Sequence, residues 1–242
     1  MRHAWPLAAT LLLAGCGGTS QAAGIATPST ITSSSTASSG TPGPTTPAGA
    51  TAPSPKAPSP SPARQLITVT ASSYSATTAT LVGYDGSKKA LGPWTVHLGR
   101  AGLARPGAKH EGDLHTPSGT FGISYMFGWK PSPGVKFRYR VAHSYDTWSD
   151  DSASPYYNLW VDSRYHDPGA APEHMKSRYY AYGIVIAYNA ARTPHRGSAV
   201  FLHVDHASPT TGCVTLPTDR LVQVMRWLNP ARSPQIKIGV TS

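Results

Sequence analysis

Alternating apolar and polar positions recur through residues 65–242 of the chain. Short runs rich in β-branched and aromatic residues, each bounded by Gly, Pro, Asp or Asn, are typical of β-strands. Seven runs have this form: LITVTASS, TATLVGYD, WTVHLG, GTFGISYMFG, YGIVIAYN, AVFLHVDH and QIKIGV. The pattern therefore predicts a mainly β, β-sandwich-like domain.

One helical pattern interrupts the strands, directly after Pro217. Thr218 is the candidate N-cap of this helix, and Asn229-Pro230 would end it. The i, i+3, i+4, i+7 spacing of a buried helix face is met by Leu221, Val224, Met225 and Leu228. We therefore expect a single α-helix late in the domain, packed on the strands.

The region between Tyr139 and Arg178 is long, aromatic and irregular. It has neither helical nor strand periodicity over most of its length. We expect an elaborated loop that covers a surface or a cleft.

The first 16 residues have the features of a bacterial lipoprotein signal peptide. A short basic opening precedes an apolar stretch that is too short to span a bilayer. The sequence LAGC, ending at Cys16, resembles a lipobox, in which the cysteine is acylated and becomes the mature N-terminus. The alternative is an ordinary signal peptide that happens to contain a cysteine.

Residues 17–64 consist almost entirely of Ser, Thr, Pro, Ala and Gly, with Lys56 and Arg64 as the charged residues. Such a composition buries too little apolar surface to offset chain entropy, so we expect a disordered tether. The three parts are thus a signal peptide (1–16), a linker (17–64) and one domain (65–242). The expected location is the outer face of the bacterial membrane, with a lipid anchor and reach into the wall.

The charge of the domain is positive. Three of the 21 basic residues and none of the 11 acidic residues lie in the first 64 positions, which leaves the domain near +7. A basic surface favours anionic partners. For an exported lipoprotein these would be wall polymers or lipid headgroups, and no nucleic-acid-binding motif is present.

Cys213 is the candidate nucleophile of the domain. If Cys16 is acylated, Cys213 has no disulfide partner, and an unpaired thiol in an oxidising compartment is either buried or used. Gly212 precedes it and allows close backbone approach, with amide N–H groups of Gly212 and Cys213 open to an oxyanion. These features favour a nucleophilic cysteine over a core cysteine.

Strand alternation supplies the candidate base. In AVFLHVD, Ala199, Phe201, His203 and Asp205 share one face, and the even-numbered residues share the other. If the even face is core, His203 faces a half-open surface where it can meet the thiol and accept its proton. His206 is the rival base but has the opposite parity, and Asp205 either orients an imidazole or belongs to a turn.

The combination of HTPSGTFGI at residues 115–123, GSAVFLHV and PTTGCVTLP resembles the L,D-transpeptidase family, which has a YkuD-type catalytic domain. The terminal WLNPARSPQIKIG and the Tyr188-Asn189 pair also match a divergent, actinobacterial-like branch of that family. Where the family core is Ser-His-Gly-Cys, then a hydrophobic residue and Arg or Asn, this chain has TTGCVT.

The resemblance implies an enzyme, without cofactor or metal, that transfers acyl groups on peptidoglycan stem peptides through a thioester, in wall biogenesis and cell shape. Water as the acceptor would make it an L,D-carboxypeptidase. Cys213 would be the nucleophile, His203 the general base and acid, and Gly212 with Cys213 the oxyanion site. The implied substrate cleft comprises Thr116, Gly119, Tyr188, Asn189, Thr210 and Thr211, and we expect a monomer.

Two alternatives belong to other functional classes. The first is a non-catalytic, wall-binding lipoprotein that keeps the fold. The second is a zinc site built from His203, Cys213 and either Asp205 or His206, although the paired-cysteine and HExxH spacings are absent.

The lipobox interpretation makes a direct prediction. Replacing Cys16 with Ala should leave an unmodified and unprocessed precursor, because acylation on sulfur precedes cleavage in lipoprotein maturation. Intact mass and membrane fractionation would measure both steps. Unchanged processing and membrane attachment in Cys16→Ala would contradict the lipid anchor.

Overall fold

The computed structural model describes residues 64–241. The predicted signal peptide and nearly all of the predicted linker lie outside the described residues. The strands are β1 (Gln65–Ala71), β2 (Thr78–Asp85), β3 (Lys88–His97), β4 (Leu103–Ala104), β5 (Thr116–Pro117), β6 (Gly119–Gly128), β7 (Tyr139–Val141), β8 (Asp146–Trp148), β9 (Trp160–Asp162), β10 (Glu173–His174), β11 (Gly183–Ile186), β12 (Phe201–Val204), β13 (Val214–Leu216) and β14 (Gln235–Val240). One α-helix, α1 (Thr218–Trp227), lies between β13 and β14. The predicted mainly β class with a late helix is confirmed.

The main sheet has nine strands in the order β11-β12-β13-β3-β2-β1-β14-β6-β7. Strand β6 also pairs with β11, which returns the sheet onto itself and leaves β7 attached at the side. Closure of this kind removes exposed strand edges around most of the sheet. No helix within residues 64–241 is long and apolar enough to cross a membrane.

The core lies between the strands and α1. It includes Ile67, Leu81, Val214 and Ile236 from the sheet, together with the predicted helix face of Leu221, Val224, Met225 and Leu228. Pro217, not the predicted Thr218, occupies the N-cap position, and no side chain caps the helix. Burial of the apolar face therefore stabilises α1, as expected for a helix of about three turns.

Strand β12 is central to the rest of the molecule. It pairs antiparallel with β11 and parallel with β13, with His203 opposite Thr215. Val200, Leu202 and Val204 pack into the main core, as the alternation predicts. The odd face instead contributes Phe201 to a second apolar cluster.

The segment 139–180 covers that odd face. Three of its short strands form a separate sheet in the order β10-β8-β9. Trp148 packs edge-on against Phe201, with 5.0 Å between ring centroids, and Tyr180 does the same at 5.6 Å. The predicted covering loop is therefore confirmed, with small strands that its irregular sequence does not reveal.

Asn158 fastens this covering segment to the main sheet. Its Oδ1 accepts hydrogen bonds from Trp148 Nε1 and the Ala199 N–H, both at 3.1 Å. Its Nδ2 donates to the carbonyls of Tyr188 and Asn189. One buried side chain therefore joins the covering segment to both ends of the connection between β11 and β12.

Replacing Asn158 with Ala should lower the free energy of unfolding by about 3–5 kcal/mol, since several buried backbone and indole groups lose their partner together. Urea unfolding of the full chain would measure it. A matched control is Asn229→Ala, because Asn229 Oδ1 accepts only the Ala231 N–H; its cost should be about 0.5–2 kcal/mol. Equal losses in the two variants would contradict the role given to Asn158.

Candidate active site

Cys213 is a free cysteine at the end of the turn that leads into β13. Its side chain is only 5% exposed and belongs to the second apolar cluster with Phe201. The thiol donates to the carbonyl of Ala199 at 3.2 Å and accepts the N–H of Phe201 at 3.4 Å. The thiol thus rests against the start of β12.

The turn before Cys213 is fixed by threonine side chains. Thr210 Oγ1 donates to the Cys213 carbonyl at 2.8 Å and accepts the Gly212 N–H at 3.0 Å. The fully buried Thr116 accepts the Gly99 N–H and donates to the same Cys213 carbonyl. Since one carbonyl receives two hydroxyl donors, the main chain at Cys213 is held in place from both sides.

Gly212 has a conformation that other residues rarely adopt. Its φ is +152°, and a Cβ at this position would lie 3.1 Å from the carbonyl oxygen of His115. The predicted need for glycine next to the nucleophile is therefore met by backbone geometry. The Gly212 N–H is already bonded to Thr210, so Cys213 has the more available of the two predicted oxyanion amides.

His203 lies on the same face as Phe201, as predicted, but it is buried and not half-open. It is 6% exposed, and the Tyr180 ring packs edge-on against it at 5.1 Å. Its Nδ1 lies 3.0 Å from the Val204 carbonyl, which only accepts hydrogen bonds. This contact favours the neutral form protonated on Nδ1. The ring also forms a hydrogen bond with the backbone of Tyr179.

Electrostatics favour uncharged forms of both groups at rest. Burial lowers the pKa of His203 from 6.5 to about 4. Burial, with the negative charge of Glu173 adding to it, raises the pKa of the Cys213 thiol far above its usual range. Sequence analysis predicts a thiolate prepared by His203; in the structure the resting pair is thiol and imidazole, because a low-dielectric site penalises both ions.

One cavity of about 250 Å³ brings the candidate residues together. Cys213, His203, Thr210 and Thr211 all line it. Among residues 64–241 no hydrogen bond joins the thiol directly to the imidazole, since each is bonded to backbone carbonyls. A proton transfer between them therefore requires the thiol to leave Ala199.

His206 also lines this cavity, which corrects the expectation from strand parity. Strand β12 ends at Val204, and Ala207 has a φ of +55°, so alternation does not continue to position 206. His206 Nε2 lies 3.2 Å from the Arg178 carbonyl, and its ring packs edge-on against Tyr179 at 4.8 Å. His206 is an exposed residue of the cavity rim.

Asp205 does not orient the candidate base. Its Oδ1 accepts from Thr215 Oγ1 and lies 2.8 Å from Nδ1 of a different histidine, His97. Thr215 stands where the family has Arg or Asn, and it lines the cavity. This position therefore belongs to a His97–Asp205–Thr215 network instead of carrying a cation.

Four of the predicted cleft residues lie away from the cavity. Thr116 is fully buried behind the Cys213 main chain, and Gly119 begins β6 opposite Ile238. Tyr188 donates to the Arg196 carbonyl, and Asn189 Nδ2 donates to the Thr193 and Gly197 carbonyls. Tyr188 and Asn189 thus brace the connection between β11 and β12. Of the six predicted cleft residues, Thr210 and Thr211 line the cavity.

Sequence reasoning missed residues contributed by the covering segment. Glu173, Tyr179 and Tyr180 line the cavity with Cys213. Tyr180 Oη donates to Glu173 Oε1 at 2.5 Å. No spacing rule could link these residues to Cys213, because the segment is irregular and some 30–40 residues away in sequence.

The zinc alternative finds no support in the site. Within the described residues no three His, Cys, Asp or Glu side chains are grouped as metal ligands would be. Asp205 is already bonded to His97 and Thr215, and His203 is bonded to the Val204 carbonyl.

The buried imidazole makes stability depend on pH. Since the pKa of His203 is about 4 in the fold against 6.5 unfolded, the unfolded chain binds the extra proton first, and stability falls as the pH drops from 6.5 to 4. Wild type should lose about 2–3 kcal/mol more than His203→Gln over this range. Urea unfolding of both proteins at each pH gives the difference. A pH dependence unchanged by the substitution would show that His203 is not held neutral.

Comparison with known proteins agrees with this geometry. Residues 65–238 match the family model described as the YkuD L,D-transpeptidase catalytic domain. No curated protein matches the chain. No solved structure matches it either. Because the matched segment covers well over half of the chain and contains Cys213, His203 and the turn between them, the chain belongs to the YkuD family of L,D-transpeptidase catalytic domains.

Proposed function

We propose that this protein is a cysteine-dependent acyltransferase that acts on peptidoglycan stem peptides through a thioester on Cys213. The family supports L,D-transpeptidase-type activity on peptidoglycan. The observation that carries the cysteine-dependent step is the shared cavity, which Cys213 and His203 line together beside a turn fixed by Thr210 and Gly212. The nucleophile, a neutral base and an amide donor are thus in one place.

The first half-reaction begins from the neutral pair. The thiol leaves the Ala199 carbonyl and gives its proton to Nε2 of His203 as sulfur attacks the carbonyl between the third stem residue and the terminal D-alanine. Coupling the two events avoids a separate thiolate, which burial disfavours, and the imidazolium forms together with the negative oxygen of the tetrahedral intermediate. The imidazolium then protonates the departing amine, and the thioester remains.

The negative oxygen of the tetrahedral intermediate needs a donor at the site. The N–H of Cys213 serves this purpose. The main chain is held on both sides of it, because Thr210 accepts the Gly212 N–H and the Cys213 carbonyl accepts from Thr116 and Thr210. An amide that is already fixed stabilises the transition state more than a mobile one, because it needs no reorganisation during the reaction. The Gly212 N–H contributes only if it exchanges Thr210 for the substrate.

In the second half-reaction, an acceptor amine attacks the thioester and His203 removes its proton. Water in place of the amine gives L,D-carboxypeptidation by the same groups. The proposed location is the outer face of the bacterial membrane, with Cys16 acylated and residues 17–64 as the tether. The protein would act there as a monomer on the wall.

Substitutions of Cys213 and His203 should impair acylation in different ways. Cys213→Ser should form no adduct with a carbapenem, since a serine hydroxyl is far harder to ionise than a thiol. His203→Ala should still acylate, about 10²–10⁴-fold more slowly, with a rate that climbs toward alkaline pH. Intact mass against time, at several pH values, measures both.

His206→Ala is the matched control, because His206 lines the same cavity but is exposed and bonded to Arg178. Its acylation rate should stay close to that of wild type. An inactive His206→Ala with an active His203→Ala would reverse the assignment of the base. Wild-type protein that takes an acyl group from neither carbapenem nor stem peptide would support a non-catalytic, wall-binding role.

A further inference from the structure

Two further cavities adjoin the catalytic one. A cavity of about 240 Å³ lies on the side of Gly212 and Ala199, and a second cavity of about 360 Å³ lies beside it. Glu173 and Thr211 line both of them and the catalytic cavity as well. The three cavities are therefore neighbours around these two side chains.

Acidic side chains dominate this region. Asp150 and Glu173 line both adjoining cavities, and Glu111 lines the first. None of the three forms an ion pair with a Lys, Arg or His among residues 64–241; Glu111 and Glu173 instead accept from tyrosine hydroxyls. An acidic group of this kind in a protein with net charge +10 is a local exception to a basic surface.

The one lysine at this site is already neutralised. Lys109 lines the first cavity, but its Nζ lies 2.6 Å from Asp113 Oδ1 and donates to the His110 carbonyl at 2.8 Å. Its charge is thus balanced by a carboxylate that does not line the cavity. The negative charge of Asp150 remains without a cation.

Unsatisfied hydroxyl groups provide a second and independent observation. In residues 64–241, the buried side-chain oxygens without a hydrogen-bond partner are Ser198 Oγ and Ser177 Oγ. Ser198 is 8% exposed and lines the first cavity, and Ser177 lines the second. A buried hydroxyl that lacks a partner is costly, so both positions are suited to a polar ligand group.

We propose that the cavities lined by Asp150, Glu173 and Ser198 form a subsite for a protonated primary amine, which is the acyl acceptor of the reaction. An ammonium group has three N–H donors and one positive charge, which match two carboxyl groups and one free hydroxyl. Glu173 and Thr211 line both this subsite and the cavity of Cys213, so a bound amine would lie next to the cavity that holds the thioester. This assignment rests on the proposed acyl transfer and adds to it the charge and position of the second substrate.

The charge state of the cluster agrees with this role. Burial, with the negative charges of Glu111 and Asp151, raises the pKa of Asp150 to about 6, so Asp150 is ionised at neutral pH. Burial, and then the charge of Asp150, raises the pKa of Glu173. A bound cation would favour the ionised forms of both carboxyl groups, and these can then accept a proton from the ammonium.

The step balances as follows. The ammonium gives one proton to a carboxylate of the cluster, and the freed nitrogen lone pair forms a bond to the thioester carbonyl carbon. The C–S bond breaks, and the second nitrogen proton passes through His203 to the departing sulfur. The products are an amide and the Cys213 thiol, and the proton on the carboxyl group leaves to water.

The test compares a charged and an uncharged nucleophile of similar size. Wild type is acylated with a stem tetrapeptide that has no free side-chain amine, and ethylamine (protonated at neutral pH) or hydroxylamine (uncharged) is added. Asp150→Asn should raise the half-saturating concentration of ethylamine about 10-fold, which corresponds to about 1.4 kcal/mol. The half-saturating concentration of hydroxylamine should change less than about 2-fold, because an uncharged nucleophile is not attracted by the Asp150 carboxylate.

The control is Asp219→Asn, which removes the same charge from the exposed first turn of α1. This variant should leave the half-saturating concentrations of ethylamine and hydroxylamine unchanged. Ser198→Ala is a second variant for the case that Asp150→Asn folds poorly. It should raise the half-saturating concentration of ethylamine about fivefold, because one hydrogen bond is lost.

Each remaining outcome has a distinct meaning. An equal loss for both nucleophiles in Asp150→Asn and Ser198→Ala would show a purely structural role and overturn the subsite. If wild type forms no thioester, acyl transfer itself fails. Ethylammonium binding to Cys213→Ser, followed through the amide NMR signals of Ser198 and Gly212, then decides on the subsite alone, and absence of binding overturns it.

Discussion

Strand β12 packs its even-numbered side chains into the main core and its odd-numbered side chains beneath the covering segment 139–180. An ordinary sheet strand of this fold would leave one face to solvent. Burial of the second face encloses His203 and Cys213 and places Glu173 and Tyr180 against them. The properties of the site follow from that enclosure.

Enclosure determines how the nucleophile is prepared. A catalytic thiolate–imidazolium pair is stable where solvent or nearby charges support both ions. Here burial opposes both, and a carboxyl group near the thiol increases the effect. Substrate entry would change this balance, because a bound carbonyl and a new amide contact replace the resting bond to Ala199. The proposed reaction therefore begins with a proton transfer that the substrate promotes.

The structure shows which contacts are made by the residues that differ from the family core. Thr211, in place of the family histidine, lines all three adjoining cavities. Thr215, in place of Arg or Asn, joins Asp205 and His97. Position 215 carries no cation, and the charged residues that line the cavity of Cys213 are Arg100 and Glu173.

Sequence alone determined the features that depend on local periodicity and local conformation. Alternation in AVFLHVD correctly separates the residues of the main core from those of the opposite face of β12. The spacing of Leu221, Val224, Met225 and Leu228 identifies the buried helix face, and Gly212 marks the turn that requires a glycine. Tertiary structure decided the rest. His206 returns to the cavity because alternation ends with the strand, and Tyr188 and Asn189 serve the loops because their partners are carbonyls eight residues or fewer away. Glu173 and Tyr180 reach the cavity of Cys213, and Asp150 reaches the adjoining cavities, only when the covering segment folds over β12. No spacing along the chain encodes contacts between residues so far apart in sequence.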